Sequence, residues 1–417
     1  MRIGLISEHA SPLAVAGGVD SGGQNVYVAQ VARHVASLGH TVDVFTRRDA
    51  AGLPGVVPFC QGVRVVHLDA GPPRFVPKEK LLPHIPGFTQ ELLGFARRSR
   101  GYDLLHANFF MSGLAAAEIK RRTGTPFVIT FHALGRVRLL HQASADRFPP
   151  ERLEIEDRIA READRVIAEC PQDRDDLLRH YGADPRSISV VPCGFDPREF
   201  RPEDRRAARA RLGLEPAAPL LLQLGRLVPR KGIDTVIQAL GRLAGTGLPA
   251  RLLVVGGDSD VPDAGATPEL ARLRAVARKE GVQDRVQFTG RRGRETLRWY
   301  YSAADVFVTT PWYEPFGITP LEAMACGTPV IGARVGGIQY TVVHGRTGLL
   351  VPPRDPEAVA ASARELLTRP SLRARLGRAG LARVRARFTW RRVARALERI
   401  YAVAAARRPA AAAGSGP

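Results

Sequence analysis

The chain has 417 residues, of which 45% are hydrophobic and 24% charged, a composition that argues against a disordered, collagen-like or coiled-coil protein. The length suits two domains of ordinary size, and no apolar run reaches the ~20 residues of a membrane-spanning helix. The first residues are too short and polar for a signal peptide, and four scattered cysteines predict a reducing, cytoplasmic compartment without a zinc site or disulfide framework.

Short apolar runs alternate with stretches of helical spacing through the first half of the chain. The runs that predict buried strands are 2–6, 41–46, 63–68, 103–106, 126–131, 165–169 and 188–192. Apolar residues from Val28 to Leu38 recur at helical spacing up to Gly39, and a second helix is predicted from Ser112 to Lys120. This alternation predicts a parallel sheet with helices on both faces.

Residues 195–219 interrupt the alternation because they are rich in proline and charge. The strand pattern then restarts, with runs at 220–224, 252–255, 286–288, 306–309 and 329–331. We therefore predict an α/β protein with two doubly wound, Rossmann-like domains that face each other across a ligand cleft. The predicted boundaries are 1–195 for the N-terminal domain, 196–218 for a hinge and 219–387 for the C-terminal domain. Residues 388–408 are predicted to form a helix that packs back toward the N-terminal domain, followed by a flexible tail at 409–417.

A glycine-rich loop lies between the first strand and the first helix, with the sequence GGVDSGGQN at residues 17–25. Gly22 and Gly23 allow close approach of the backbone, and the helix that follows offers unpaired N–H groups that suit phosphate. The spacing is neither that of a dinucleotide-binding fingerprint nor that of a P-loop. The alternative is an ordinary strand-to-helix turn.

Two further loops carry charge at the ends of predicted strands in the second half. Arg226 and Lys231 lie five residues apart across a turn, where both can converge on one anion. Glu314 and Glu322 flank a turn that leads into a helix, although Thr319 and Glu322 also fit a capping box.

Other candidate groups have a simpler structural explanation. His132 follows a strand, but a single histidine is usually structural. Asp258 and Asp260 resemble a metal-binding pair, but two carboxylates in a glycine-rich loop are more often turn formers. No metal site is predicted.

The basic charge is concentrated near the C-terminus, where residues 354–408 hold 15 arginines and four acidic residues. A solvated helical face is the simplest interpretation, and a weak contact with an anionic membrane, at the inner face, is the alternative. No zinc finger or aromatic RNA-binding motif accompanies this charge, so no nucleic acid partner is predicted.

Taken in order, the loop at 17–25, Arg226, Lys231 and the segment 314–322 resemble the family 4 glycosyltransferases of the GT-B fold. The resemblance covers nearly the whole chain. It implies a retaining transfer of a hexose, glucose above all, from a nucleotide sugar such as UDP-glucose, with no tightly bound cofactor and no required metal.

The resemblance also implies roles for individual residues. Arg226 and Lys231 would neutralise the departing diphosphate, Gly22 and Gly23 would approach the same group, and His132 would contact the donor sugar. The other donor-binding candidates are Arg291 beside the base, Glu314, Phe316, Gly317 and Ile318 around the sugar and phosphate, and Glu322 at the ribose. His132, Arg226, Lys231 and Glu314 are the predicted catalytic residues.

Within the family, the loop resembles those of sucrose-phosphate synthases, sucrose synthases and the inositol-phosphate glycosyltransferases of mycothiol synthesis. A small, phosphorylated acceptor is therefore expected. The acceptor-binding candidates are Asn25, Lys78, Asn108, Arg136, Arg138 and Arg158. The mycothiol enzymes carry Tyr and Thr where this chain has Phe109 and Ala133, which favours the sucrose type slightly over inositol phosphate. Two alternatives remain at this stage: a GDP-mannose-dependent mannosyltransferase acting on a lipid or polysaccharide, and a non-catalytic nucleotide-sugar-binding protein.

Overall fold

The computed structural model describes residues 1–14, 22–143 and 146–406, so residues 17–21 of the glycine-rich loop and the predicted tail at 409–417 lie outside the described residues. The described part divides into two compact units. The first unit comprises Met1–Ala14, Gln24–Val191 and Val393–Pro417, and the second comprises Val15–Gly23 and Pro192–Arg392.

The first unit is built on a sheet of eight strands in the order β3-β4-β2-β1-β5-β6-β7-β8. All neighbouring strands are parallel except β3 and β4. The strands are β1 (Arg2–Ile6), β2 (Thr41–Arg47), β3 (Val56–Cys60), β4 (Val63–Leu68), β5 (Leu104–Asn108), β6 (Phe127–Thr130), β7 (Arg165–Ala168) and β8 (Ile188–Val190). The helices among them are α1 (Gly23–Ala36), α2 (Ile85–Arg98), α3 (Phe110–Thr123), α4 (Gly135–Gln142), α5 (Arg152–Glu162) and α6 (Pro171–Tyr181).

The second unit has a parallel sheet of six strands in the order β11-β10-β9-β12-β13-β14. The strands are β9 (Leu220–Leu224), β10 (Arg251–Val255), β11 (Val286–Phe288), β12 (Val306–Thr309), β13 (Val330–Ala333) and β14 (Gly348–Val351). The helices in this part of the chain are α7 (Arg205–Arg211), α8 (Ile233–Gly245), α9 (Pro268–Lys279), α10 (Leu297–Ala303), α11 (Ile318–Ala325), α12 (Ile338–Thr341), α13 (Pro356–Thr368) and α14 (Pro370–Arg387).

The central strands are buried on both faces, which explains their continuous apolar sequences. Every residue of β5, β6, β9, β12 and β13 is buried. In the second unit these strands pack against α8 and α13 through Val236, Leu240, Ala363 and Leu366. The buried sheet of each unit fixes the positions of its strand ends. The polar loops of that unit begin at those ends.

Residues 196–218, the predicted hinge, are grouped with the second unit and contain α7. Within that helix Arg209 is buried and donates to the carboxylate of Asp305 at 2.9 Å. A C-terminal helix, α15, spans Trp390–Ala405. From Val393 onward it belongs to the first unit, where the hydroxyl of Tyr401 lies 2.6 Å from Nδ1 of His106.

None of the described helices is long and apolar enough to cross a membrane.

Candidate functional site

The second unit joins an acidic and a basic side chain at the carboxyl ends of two neighbouring strands. Lys231 lies in a single 3-10 turn shortly after β9, and Glu314 lies in the loop after β12. The Lys231 ammonium donates to Oε2 of Glu314, and Nη1 of Arg230 lies 3.6 Å from the same oxygen. The side chains of Lys231 and Glu314 are only 17% and 14% exposed. Glu314, predicted to bind the donor sugar, and Lys231, predicted to bind the diphosphate, are therefore adjacent.

Burial and charge act in opposite directions on this pair. Burial would raise the pKa of the Glu314 carboxyl, but the charges of Lys231 and Arg230 outweigh it and lower the pKa. Burial lowers the pKa of the Lys231 ammonium, Glu314 counteracts this shift, and the charges of Arg230 and Arg226 add to it. Glu314 is therefore ionised within a cluster of cations that can receive an additional anionic group.

The backbone beside Lys231 requires glycine. Gly232 has a φ of 64°, and a Cβ at this position would lie 2.0 Å from the carbonyl oxygen of Thr310. The hydroxyl of Thr310 donates to the carbonyl oxygen of Gly232 at 2.7 Å, which ties the two loops together. Gly22 belongs to the same unit, and a Cβ there would lie 3.9 Å from Cδ of Arg226, while one on Gly23 would lie 3.6 Å from Cδ1 of Ile318. The candidate glycines and cations are thus close together.

Helix α11 begins at the turn that follows Glu314. Gly317 precedes its first residue, Ile318, with a φ of 86°, and Phe316 is buried. The capping-box prediction is wrong, because the helix begins before Thr319 and no side chain caps it. The reason is local: Gly317 can adopt the left-handed conformation that turns the chain into the helix two residues earlier.

Glu322 is fully buried and has a different role from the predicted cap. Its Oε1 accepts from Nη1 of Arg294 at 2.7 Å, and its Oε2 accepts from the hydroxyl of Tyr301 at 2.9 Å. Arg294 also donates to Glu199 at 2.7 Å. Burial raises the pKa of the Glu322 carboxyl, and the bonds to Arg294 and Tyr301 offset this only in part. Sequence reasoning missed Arg294 and Tyr301, because neither belongs to a short motif with Glu322.

Arg291 and Asp260 form a surface pair beyond β11. Nε of Arg291 lies 3.0 Å from Oδ1 of Asp260, and the backbone N–H of Arg291 donates to the carbonyl oxygen of Ser259 at 2.7 Å. Asp260 is therefore part of a loop contact. Over the described residues, no group of three or more His, Cys, Asp or Glu side chains is arranged to hold a metal ion.

In the first unit, three neighbouring strands place polar residues at the same edge of the sheet. Asn108 ends β5, His132 follows β6 and Glu169 follows β7. Nε2 of His132 lies 3.1 Å from Oδ1 of Asn108, and Nδ1 lies 3.2 Å from Oε1 of Glu169. Asn25, on α1, is buried and donates to the carbonyl oxygen of Ser11 at 3.0 Å. Glu169 is a further residue that the sequence analysis missed.

Three of the predicted acceptor-binding arginines are paired with carboxylates of the first unit. Arg136 makes two hydrogen bonds to Asp157, Arg138 donates to Asp146 at 2.9 Å, and Arg158 lies 3.7 Å from Glu162. Lys78 lies in the short 3-10 turn Lys78–Lys80, away from helices α4 and α5 in the sequence. The role of these four cations in acceptor binding therefore stays a prediction.

A fourth arginine of this unit, Arg152, has an unusual environment. It is 2% exposed, its Nε donates to Oε1 of Glu156 at 2.7 Å, and its Nη2 donates to the carbonyl oxygen of Ala133. Its Nη1 is buried without a hydrogen-bond partner. The guanidinium lies 4.6–4.9 Å from the ring centres of Phe109, Phe110 and Phe148. The three rings enclose this nitrogen and give the guanidinium a cation–π contact where a hydrogen-bond partner is missing. No sequence motif marks Arg152, since most of its contacts come from three other segments of the chain.

Comparison with known proteins identifies the family. The profile of the glycosyl transferases group 1 matches residues 204–383, and that of glycosyltransferase family 4 matches residues 21–199. A D-inositol 3-phosphate glycosyltransferase of Catenulispora acidiphila is 38% identical over 96% of this chain and 94% of its own length. The chain belongs to the family 4 glycosyltransferases.

Two further proteins that are similar to this chain support the family assignment. The D-inositol 3-phosphate glycosyltransferase of Nocardiopsis dassonvillei is 40% identical over 91% of this chain and 89% of its own length. The solved structure of a sucrose-phosphate synthase from Thermosynechococcus elongatus superposes with a TM-score of 0.89, at 36% identity, over 96% of this chain and 98% of the other. The predicted family and the predicted GT-B class, with two parallel-sheet α/β domains, are confirmed.

Proposed function

We propose that this glycosyltransferase moves a hexose, glucose above all, from UDP-glucose to a small phosphorylated acceptor with retention of configuration. The observation that carries the proposal is the cluster of Lys231 and Arg230 around the buried carboxylate of Glu314, with Arg226 close enough to lower the pKa of Lys231. Such a cluster fits a sugar diphosphate, because the carboxylate accepts hydrogen bonds from sugar hydroxyls and the cations bind phosphate oxygens.

In this proposal the donor is held by residues of the second unit. Lys231 and Arg226 neutralise the diphosphate as it leaves, together with the backbone N–H groups of Gly23 and of Gly317 and Ile318 at the start of α11. Glu314 accepts from the hexose and Glu322 from the ribose. Phe316 lines the sugar and phosphate, and Arg291 lies beside the base.

The chemistry is electrostatic. Positive charges and N–H groups fixed where negative charge develops are the largest source of rate acceleration in such sites. The oxygen of the departing phosphate takes the proton of the acceptor hydroxyl, so no separate general base is required, and the charge balance needs no metal.

The acceptor is proposed to be phosphorylated because the D-inositol 3-phosphate glycosyltransferases and the sucrose-phosphate synthase that this chain is similar to are named for phosphorylated compounds. The names of the relatives from Catenulispora and Nocardiopsis add inositol 3-phosphate as a candidate, and the solved synthase adds a sucrose-phosphate precursor. Phe109 and Ala133 lack the side-chain hydroxyls that the resemblance associates with inositol phosphate. Both acceptor classes therefore belong in the test.

The experiment begins with melting temperatures in the presence of UDP, GDP, ADP and their glucose and mannose conjugates, each with EDTA. A ligand that binds only the native state raises the melting temperature by mass action. We expect UDP and UDP-glucose to raise it. A rise with GDP-mannose alone would overturn the proposed donor, and no rise with any nucleotide would overturn the phosphate site.

Transfer is then measured with UDP-glucose and two acceptors, inositol 3-phosphate and fructose 6-phosphate, with unphosphorylated inositol and fructose as controls. The anomeric configuration of the product is read from its proton coupling constants. We expect transfer only to a phosphorylated acceptor, with an α-linked product. A β-linked product would contradict retention.

A further inference from the structure

The contacts of His132 define which of its ring atoms carry protons. His132 follows β6, and it lies between Asn108 at the end of β5 and Glu169 after β7, the two strands that flank β6 in the sheet. Its backbone has a φ of 59°, in the left-handed region that non-glycine residues rarely adopt. The ring also packs edge-on against Tyr27, with centroids 4.8 Å apart. The imidazole is thus held from three sides, and its side chain is only 10% exposed.

The orientation of the Asn108 amide is fixed by backbone groups. Its Nδ2 donates to the carbonyl oxygens of Ile6 at 3.2 Å and His106 at 3.3 Å. A carbonyl oxygen can only accept, so the nitrogen of the amide must face these two groups and Oδ1 must face His132. Because Oδ1 is also only an acceptor, Nε2 of His132 must carry a proton.

The other ring nitrogen faces the carboxylate of Glu169, which has an acidic neighbour in Asp173. The backbone N–H of Glu169 donates to Oδ2 of Asp173 at 2.8 Å, and the side chain of Glu169 is only 4% exposed. Burial and the charge of Glu169 raise the pKa of Asp173 to about 8. Asp173 is therefore protonated at neutral pH, and Nδ1 of His132 faces the carboxylate oxygen of Glu169 as its hydrogen-bond donor.

We propose that Glu169 is a positioning residue that keeps the His132 imidazole protonated on both nitrogens, so that His132 acts as a hydrogen-bond donor and never as a general base. The consequence for catalysis rests on the proposed function, whereas the protonation does not. A substrate hydroxyl that meets Nε2 replaces Oδ1 of Asn108 and accepts from the ring. The sugar is then held by a cationic donor.

The other titratable groups around the ring are consistent with this assignment. His106, on β5, has its pKa lowered to about 3 by burial and by the charge of His132, so it is neutral. Its nitrogens contact the hydroxyls of Tyr401 on α15 and Thr130 on β6. Tyr27 on α1 packs against the imidazole ring, and Asp173 on α6 is protonated at neutral pH because its pKa is raised to about 8. Glu169 supplies the carboxylate oxygen that contacts Nδ1 of the ring.

The direct test is nitrogen-15 NMR of the full-length protein with labelled histidine at neutral pH. The His132 signals are identified by their loss in the variant His132→Phe. We expect both ring nitrogens to show the shifts and attached protons of an imidazolium. A neutral tautomer in the wild-type protein would overturn the proposal, and this result needs no variant of Glu169 that folds.

The second test compares Glu169→Gln with Glu154→Gln, a matched change at an exposed position of α5. In Glu169→Gln we expect His132 to lose one ring proton and kcat to fall about 10- to 100-fold, while KM for UDP-glucose changes by less than about threefold. Glu154→Gln should leave the ring protons of His132, kcat and the KM for UDP-glucose unchanged. An imidazolium that survives in Glu169→Gln would overturn the role of Glu169. If the NMR change occurs but the wild-type protein transfers no sugar, the proposed function fails and the assignment to Glu169 stands.

Discussion

Lys231 is the residue on which the proposed chemistry depends most directly. Its ammonium is held against Glu314 in a largely buried position, and burial already lowers its pKa. A cation held in this way does not need to reorganise when the diphosphate departs. Its contribution therefore falls mainly on the transition state.

For Lys231→Ala we expect kcat to fall several hundredfold, which corresponds to a loss of about 3–4 kcal/mol of transition-state stabilisation. Steady-state kinetics measure the fall, and circular dichroism shows whether the variant is folded. The matched control is Lys279→Ala, at an exposed lysine of α9 in the same unit. Equal turnover in wild type and Lys231→Ala would refute the assigned role.

The buried contacts of Glu322 predict a linked loss of stability and nucleotide affinity. Arg294→Met leaves the carboxylate without its cation, and breaking such a buried pair costs about 3–5 kcal/mol of unfolding free energy. Tyr301→Phe removes one donor and costs about 1–3 kcal/mol. Urea denaturation and UDP titration calorimetry measure the two effects. Lower stability with unchanged UDP affinity would mean that Glu322 only supports the fold.

Asp173 predicts a dependence of stability on pH. Its pKa is raised in the folded state to about 8, compared with the ordinary value of 3.8, so the folded protein retains a proton that the unfolded chain releases. Between about pH 4 and pH 8 this residue therefore lowers the stability as the pH rises. We expect Asp173→Asn to gain stability relative to wild type over this window, measured by urea denaturation at pH 5 and pH 8. A difference that stays constant with pH would contradict the raised pKa.

Among the secondary-structure elements, the sequence located the buried strands best. The ranges predicted for β9 and β12 match the structure, because continuous apolar runs reflect burial on both faces. The range predicted for β11 also matches, although none of its residues is buried. Strand β3 was missed, since it is an antiparallel edge strand with an exposed first residue and a proline in its middle. Strand β14 was missed as a short run that begins with a glycine.

Side-chain partners were harder to predict than strands. Arg294 and Tyr301 bind Glu322, and Glu169 binds His132, across loops and helices of variable length. A short motif contains residues that are close in sequence, whereas these side-chain contacts depend on the order of the strands in the sheet. The positions that a motif did cover, Lys231 and Glu314, are adjacent in the structure, although their roles stay predictions.

The turn between β9 and α8 gives a prediction for Gly232→Ala. The added Cβ would lie 2.0 Å from the carbonyl oxygen of Thr310. The substitution therefore adds a steric clash to the backbone strain that alanine has at a φ of 64°. Gly281→Ala is the matched control, because Gly281 has a φ of 67° with no atom within 4 Å of the added Cβ. We expect the control to lose about 1–2 kcal/mol of unfolding free energy and Gly232→Ala to lose clearly more. Equal losses in urea denaturation would show that the contact with Thr310 relaxes.

At the scale of the whole molecule, the excess positive charge is concentrated in the last two helices. The exposed arginines of α14 are Arg375, Arg378, Arg385 and Arg387, and those of α15 are Arg391, Arg392, Arg395 and Arg399. Each basic residue near an anionic membrane contributes about 1 kcal/mol, and salt screens this attraction.

We expect weak co-sedimentation with phosphatidylglycerol vesicles at low salt, lost at high salt and absent with phosphatidylcholine vesicles. Replacing the four exposed arginines of α14 by glutamine should weaken it. No co-sedimentation at low salt would contradict a membrane contact and favour the simpler explanation of a solvated face.

The discontinuous first unit also sets an order of events during synthesis. Domains generally fold as units as the chain leaves the ribosome. The stretch Pro192–Arg392 emerges before the residues from Val393 onward that belong to the first unit. Until Tyr401 has left the ribosome, Nδ1 of His106 lacks the hydroxyl group that it contacts in the folded protein. The second unit can therefore be complete before the first, and a chain that ends at Arg392 holds a complete second unit and an incomplete first unit.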